Sequence, residues 1–329
     1  MKPRIAISLG DPNGIGPEIA AKLLSRPGIF EHADVVIYAD PATIAAGERV
    51  AGVKALVSTA PAPGRATLHA LPLGGAAAIT PGQATEAGGR AALASLTAAV
   101  DAAKRGEVEG IVFAPLNKHA LRLAGMTHED ELRWMAERLG VYGFTSEFNI
   151  TGDLWTSRVT SHVPLREVAD AISAEGVVDA VHIVNRYLVA AGIARPRIAV
   201  AALNPHAGDG GSLGREEIDV IAPAIETAKR GGIDVRGPMP SDTVFVAAKR
   251  GDYDAVVSMY HDQGQIAMKL MGFDRGVTLH GGLPVPVATC ASGTAFDIVG
   301  KGIANVEGLQ AAFDLAARIA ARGTAALAA

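Results

Sequence analysis

Cysteine is nearly absent: Cys290 stands alone in 329 residues. An internal disulfide framework is excluded, and a reducing compartment is expected. Its neighbours, Ala288-Thr289-Cys290-Ala291, read as packing rather than as a nucleophile's setting. Aromatic residues are scarce at 5%, so the core must be built from Ala, Val, Leu and Ile. Neither sign of charge dominates, with 30 Lys and Arg against 34 Asp and Glu. That balance excludes a nucleic-acid partner, which calls for a basic face, and no Lys/Arg run marks a membrane surface. No apolar run reaches the ~18 residues that a membrane helix needs. Met1-Lys2-Pro3-Arg4 leads straight into a strand-like segment without an apolar leader, so a soluble cytoplasmic protein is expected. The G-x-G-x-x-G fingerprint of a standard dinucleotide fold is also missing. Small anionic substrates remain open, because one or two placed cations suffice for them.

What is present is a steady alternation of two patterns. Arg4–Leu9, Asp34–Ala39, Gly110–Ala114, Arg197–Ala202 and Asp254–Met259 are continuous apolar runs, the signature of strands buried on both faces. Between them lie amphipathic stretches over Gly16–Leu24, Gly89–Arg105, Val178–Ala191, Arg215–Lys229 and Gln263–Met271, with an Ala-rich closing helix over Leu309–Arg322. The alternation predicts an α/β protein with mostly parallel sheets. A polar, turn-rich region from about Tyr142 to Ser157 precedes a second set of strand–helix units.

Three apolar runs end alike. Trp155–Ser161 ends in His162, Arg197–Leu203 leads through Asn204-Pro205 to His206, and Asp254–Tyr260 ends in His261-Asp262. Ligands of open parallel sheets bind at the carboxyl ends of strands, and three imidazoles form a usual first shell for a catalytic divalent ion. The competing reading is three ordinary hydrogen-bonded loop histidines. His32, His69 and His182 read as surface or filler residues. Gly10-Asp11-Pro12-Asn13-Gly14-Ile15-Gly16-Pro17-Glu18 reads as a strand–turn–helix joint, with Pro17 and Glu18 suited to the helix start. The glycine-dense loop Asn204–Gly211 either cradles a phosphate or simply turns. Thr127-His128-Glu129-Asp130 resembles a capping box with Thr127 at the N-cap. Lys269, eight residues after His261, falls on the same helix face about two turns later.

Taken together, the Gly10–Glu18 and Asn204–Gly211 segments and Met259-Tyr260-His261-Asp262-Gln263-Gly264 resemble the 4-hydroxythreonine-4-phosphate dehydrogenase (PdxA) family. Gly237-Pro238, Asp242-Thr243, Gly272-Phe273 and Gly293-Thr294-Ala295 add to the resemblance, which spans nearly the whole chain. It implies a two-domain fold similar to isocitrate and isopropylmalate dehydrogenases, with mostly parallel sheets and a central cleft. The expected division is a first domain from 1–140 with 300–329, and a second from 141–299 carrying the histidines and the dimer contacts. The resemblance further implies a homodimer with shared active sites. It assigns one divalent ion (Zn, Co, Mn, Ni or Mg) to His162, His206 and His261. NAD or NADP is expected near Gly293, Thr294 and Asp297. His128, Lys269 and Asp262 are the catalytic candidates, and His128, Glu129, Lys269, Thr278 and Val287 the substrate-binding ones. The implied reaction, placed by the family in pyridoxine biosynthesis, oxidises a hydroxy acid, nominally 4-phosphooxy-L-threonine, to a β-keto acid that decarboxylates.

Several positions depart from the family pattern. Glu129 stands where a substrate-holding threonine is expected, Thr278 replaces an asparagine, Val287 an arginine, and Ala291-Ser292 an Asp-His pair. A carboxylate at Glu129 would repel a phosphate, and the missing arginine removes a cation suited to one. Two alternatives follow: the same chemistry on an unphosphorylated diol or hydroxy acid, such as a cis-dihydrodiol carboxylate, or a non-catalytic metal- or ligand-binding homologue.

Overall fold

The computed structural model describes residues 2–272 and 275–327; Phe273, one of the residues carrying the resemblance, lies outside them. The strands, in chain order, are β1 (Arg4–Ser8), β2 (Asp34–Ala39), β3 (Val57–Ser58), β4 (Ala66–Ala70), β5 (Gly110–Phe113), β6 (Ser146–Thr151), β7 (Leu154–Arg158), β8 (Arg197–Ala201), β9 (Asp234–Met239), β10 (Ala255–Ser258), β11 (Val277–Gly281) and β12 (Val287–Cys290). The chain forms two compact units.

The first unit comprises Met1–Tyr142, Val277–Leu279 and Leu283–Ala329. Its strands run in the order β3-β4-β2-β1-β5-β12, every neighbouring pair parallel. Ile5, Ala6 and Ile7 of β1 are fully buried, as the unbroken apolar run predicts for a strand covered on both faces. Helix Glu86–Lys104 starts at Thr85, whose hydroxyl accepts from the Gly88 amide. It lays Leu96, Ala99 and Val100 against Ile111 and Phe113, an i, i+3, i+4 stripe. Elsewhere, close packing depends on a missing side chain. A Cβ on Gly47 would lie 2.0 Å from the Pro17 carbonyl oxygen, so helices Gly16–Leu24 and Pro41–Ala51 meet backbone to backbone there.

The second unit comprises Gly143–Gly276 and His280–Gly282. Its strand order is β6-β7-β10-β8-β9, parallel except for the β6–β7 hairpin. That hairpin pairs Thr151 with Leu154 across Gly152-Asp153, with Gly152 at φ 59°, where glycine supplies the turn at little steric cost. Ala199, Ala201, Val256, Phe245 and Met268 form the core of this unit. Helix His261–Met271 packs against it through Gly264, whose Cβ would lie 3.1 Å from Ser258 Oγ.

The α/β class and the mostly parallel strands agree with the sequence reading, and helix Gly16–Leu24 falls on its expected residues. Helices Glu86–Lys104 and Ala174–Ala190 start three and four residues before their expected Gly89 and Val178, and three further details differ. The first unit takes in Val277–Leu279 and the chain from Leu283 rather than from residue 300, because β12 pairs with β5 of that unit. The helix expected from Gln263 already begins at His261. The cap of helix Glu131–Leu139 is Asp130, not Thr127: the buried Asp130 carboxylate accepts from the Arg133 amide at 2.8 Å. No helix among the described residues is long and apolar enough to cross a membrane.

Candidate functional site

In the second unit, β7, β10 and β8 are parallel neighbours, with Ser258 beside Arg158 and Val257 beside Val200. Their chains therefore leave by one edge, and His162, His261 and His206 follow the ends of these three strands. The β7 and β10 exits stay zipped beyond the sheet. The Val159 amide donates to Ser258 at 3.0 Å, and the Thr160 amide and hydroxyl both donate to the Met259 carbonyl, at 3.1 and 2.8 Å. This brings the rings of His162 and His261 to 5.6 Å between centroids, tilted by 35°. His206 stands on the same edge but does not join them. Among the described residues, the ring nitrogens of all three histidines do not lie within 4.8 Å of one another.

The β8 exit is held differently. From His206 to Gly210 the backbone is left-handed throughout, with φ between 44° and 80°; a non-glycine residue there costs about 1–2 kcal/mol. His162 shares this conformation at φ 52°. What fixes the exit is Glu217, a buried carboxylate that accepts from the amides of Leu203 and Asn204 at 2.8 and 2.7 Å and from Asn204 Nδ2 at 2.9 Å. The Leu203 and Asn204 amides at the loop's start are thus already satisfied, which favours the turn over the phosphate cradle at this end.

The donor set suits a divalent cation. His261 Nδ1 lies 2.9 Å from the Asp262 carboxylate, and a carboxylate only accepts, so Nδ1 carries the proton and Nε2 keeps its lone pair. His162 Nδ1 lies 3.5 Å from Ser161 Oγ, a hydroxyl that serves either tautomer. Gln263 joins the exits: its side-chain amide donates to the Ala202 carbonyl at 2.8 Å and to Ser241 Oγ at 3.1 Å, while its oxygen accepts from the Met259 amide at 2.6 Å. Asp262 itself is exposed and backs the imidazole, so the geometry makes it an orienting group. Lys269 is exposed on the same helix as His261.

A polar cluster beneath that helix escaped sequence reasoning. Arg158, nearly buried on β7, pairs with Glu147 of β6. Burial alone would raise the Glu147 carboxyl, but the neighbouring His280, Arg158 and His162 hold it below its usual range. Hydrophilic alternation in Ser146–Thr151 was the available signal, since it marks a strand with one polar face.

In the first unit, His128 Nε2 meets the Glu137 carboxylate at 2.5 Å, and its Nδ1 is buried without a hydrogen-bond partner among the described residues. Glu129 is exposed and Thr278 half-buried. Val287 requires a correction: it is fully buried in the first unit's core, so it packs rather than touching a substrate. The loop after β12 folds onto the β1 exit, where the Ile15 amide donates to the Thr294 carbonyl at 3.0 Å. A Cβ on Gly14 would lie 2.9 Å from Thr294 Cβ, so glycine is needed for that approach. Gly293 and Asp297 are exposed. Asp11 is fully buried with Oδ2 unpartnered among the described residues, and burial raises its carboxyl although the Asn13 amide opposes this. Cys290 is buried and its thiol pushed up by burial, as packing requires.

Parallel units of strand and helix, with histidines lined along one carboxyl edge, define the class: an α/β protein whose second unit carries imidazoles at its strand ends. Residues 31–316 match the family model described as pyridoxal phosphate biosynthetic protein PdxA, and the chain belongs to that family. A protein of Pseudomonas aeruginosa, provisionally named 4-hydroxythreonine-4-phosphate dehydrogenase 2, is 49% identical over 96% of this chain and 97% of its own. The crystal structure of 4-hydroxythreonine-4-phosphate dehydrogenase from Klebsiella pneumoniae matches with a TM-score of 0.83 at 35% identity, covering 97% of this chain and 98% of that one. A terephthalate 1,2-cis-dihydrodiol dehydrogenase from Burkholderia xenovorans LB400 matches with a TM-score of 0.69 at 29% identity, covering 96% and 98%.

Proposed function

We propose that the chain is a dehydrogenase oxidising a CH–OH group of a phosphorylated hydroxy acid, nominally 4-phosphooxy-L-threonine. It uses NAD or NADP and one divalent ion (Zn, Co, Mn, Ni or Mg) held by His162, His206 and His261, and works as a homodimer. The observation that carries this reading is the shared carboxyl edge of β7, β10 and β8, with His162 and His261 side by side and Asp262 fixing the His261 tautomer. The dehydrogenase names of the relatives support the reaction type.

When bound, the ion would supply Lewis acidity, and NAD or NADP the hydride acceptor. The chain's own residues do the rest. Asp262 keeps the His261 lone pair on Nε2, and Gln263 holds the β10 exit against the β8 exit. Lys269 offers a cation beside the substrate and a route for the hydroxyl proton. His128, braced by Glu137, contributes a substrate contact, and the loop of Gly293, Thr294 and Asp297 holds the dinucleotide. A β-hydroxy acid oxidised in this way becomes a β-keto acid, which loses CO2.

Substrate identity divides two readings. A Glu129 carboxylate facing the substrate would repel a phosphate, and Val287 supplies no cation where the family pattern has arginine; both favour the same chemistry on an unphosphorylated diol or hydroxy acid. A metal-replete sample assayed for NAD(P)H formation on 4-phosphooxy-L-threonine and on a cis-dihydrodiol carboxylate separates them. Turnover of the phosphate ester is expected, and turnover of the diol alone would establish the second reading. No turnover of any hydroxy acid, with metal bound, would leave a non-catalytic homologue.

A further inference from the structure

The β6 strand turns Glu147, Asn149 and Thr151 to one face, and the hairpin register places Glu147 opposite Arg158. Arg158 uses every edge of its guanidinium there. One Nη donates to Glu147, the other to Asn149 Oδ1 at 3.1 Å, and Nε donates to Ser161 Oγ at 3.0 Å. Asn149 Oδ1, with two lone pairs, also accepts from Gln265 Nε2 at 2.5 Å. Gln265 sits one turn after His261 on the same helix, and Ser161 immediately precedes His162. A buried fork therefore ties both histidine-bearing segments to one strand. Arg158 is only 5% exposed and Glu147 16%, so solvent screens the network little.

We propose that Arg158 is a positioning residue for the histidine pair: through Ser161 it sets where His162 stands, and through Asn149 and Gln265 it fixes that position relative to His261. The inference rests on the metal reading given above, and it adds a residue that touches neither ion nor substrate. Arginine suits the task because its planar fork serves three acceptors in fixed directions, which lysine does not. The left-handed backbone of His162, at φ 52°, is a conformation that surrounding contacts must hold, and the Arg158–Ser161 hydrogen bond is one of them. With Ser161 Oγ accepting from Arg158, the hydroxyl stays within 3.5 Å of His162 Nδ1, so the fork reaches the imidazole through one intervening group.

The test starts from the paired variant Glu147→Gln/Arg158→Met, because removing Arg158 alone strands a buried carboxylate and endangers folding. Its crystal structure is expected to show the His162 and His261 rings more than ~1 Å further apart than in the native chain. Co2+ titration is expected to give a dissociation constant raised ~10-fold, with the KM for dinucleotide unchanged. Arg158→Lys should recover part of the affinity, since one ammonium can still reach Ser161. Unchanged ring separation and Co2+ affinity in the folded paired variant overturn the proposal. So does an equal loss of affinity in Val256→Ala, a core variant of the same unit. A native chain that binds no Co2+ removes the metal reading instead, and the ring separation alone then decides the role of Arg158.

Discussion

The two units are built alike and finished differently. Both bury parallel strands under helices, yet the first unit's strand exits are closed by its own groups. Asn13 spans the β1 exit and the approach to helix Glu86–Lys104, accepting from the Thr80 amide and donating to Gln83 and Thr85. Asp11 is sealed beneath it. The second unit's exits end instead in exposed or half-exposed imidazoles, backed by Asp262, Ser161 and Gln263. The lesson is that the fold supplies the edge, while the residues placed one to five positions beyond each strand decide whether that edge is sealed or left reactive.

Four changes sharpen this contrast. His261→Ala in the second unit should lower turnover by at least ~1,000-fold, about 4 kcal/mol of transition-state stabilisation. Because that side chain is half-exposed, the melting temperature should barely move. Gly47→Ala should do the reverse in the first unit. Its new methyl group meets the Pro17 carbonyl, so denaturant unfolding should show a loss of ~3 kcal/mol, with metal affinity of the folded protein unchanged. Asp262→Asn should weaken metal binding ~10–100-fold by freeing the His261 tautomer, seen by titration at constant stability.

Asp11 gives the smallest effect and one whose sign is set by pH. Its folded-state carboxyl is raised by burial above the unfolded value of about 3.9. The ionised form is therefore penalised in the fold, fully so above the folded value and not at all below the unfolded one. Asp11→Asn should accordingly gain stability relative to the native chain as pH rises from 3 to 7 in parallel melts. A flat difference would contradict a buried, penalised carboxylate.

Much of this was legible in the sequence, for identifiable reasons. Strands buried on both faces are unbroken apolar runs, so β1, β2, β5, β8 and β10 fall within a residue of their expected bounds. The histidines were legible because strand ends can be read from where apolarity stops. Glu217, Arg158 and Gln263 were not, because a buried polar side chain differs from a surface one only through partners distant in sequence: Glu217 and Gln263 look like ordinary helix residues until Leu203 and Ala202 are brought beside them. Val287 misled for the opposite reason, since its β-branched side chain fits a core strand whatever stands at that place in relatives. Asp130 shows the limit of short motifs, because Thr127 fits the capping pattern as well and only the helix start decides between them.

Equilibrium Zn2+ binding to the native chain and to the three variants His162→Ala, His206→Ala and His261→Ala tests the account most directly. One ion per chain is expected in the native protein, with each variant weakened by at least ~100-fold, including His206→Ala, whose ring does not close on the other two in this structure. Native-like Zn2+ affinity in His206→Ala would contradict the three-histidine centre.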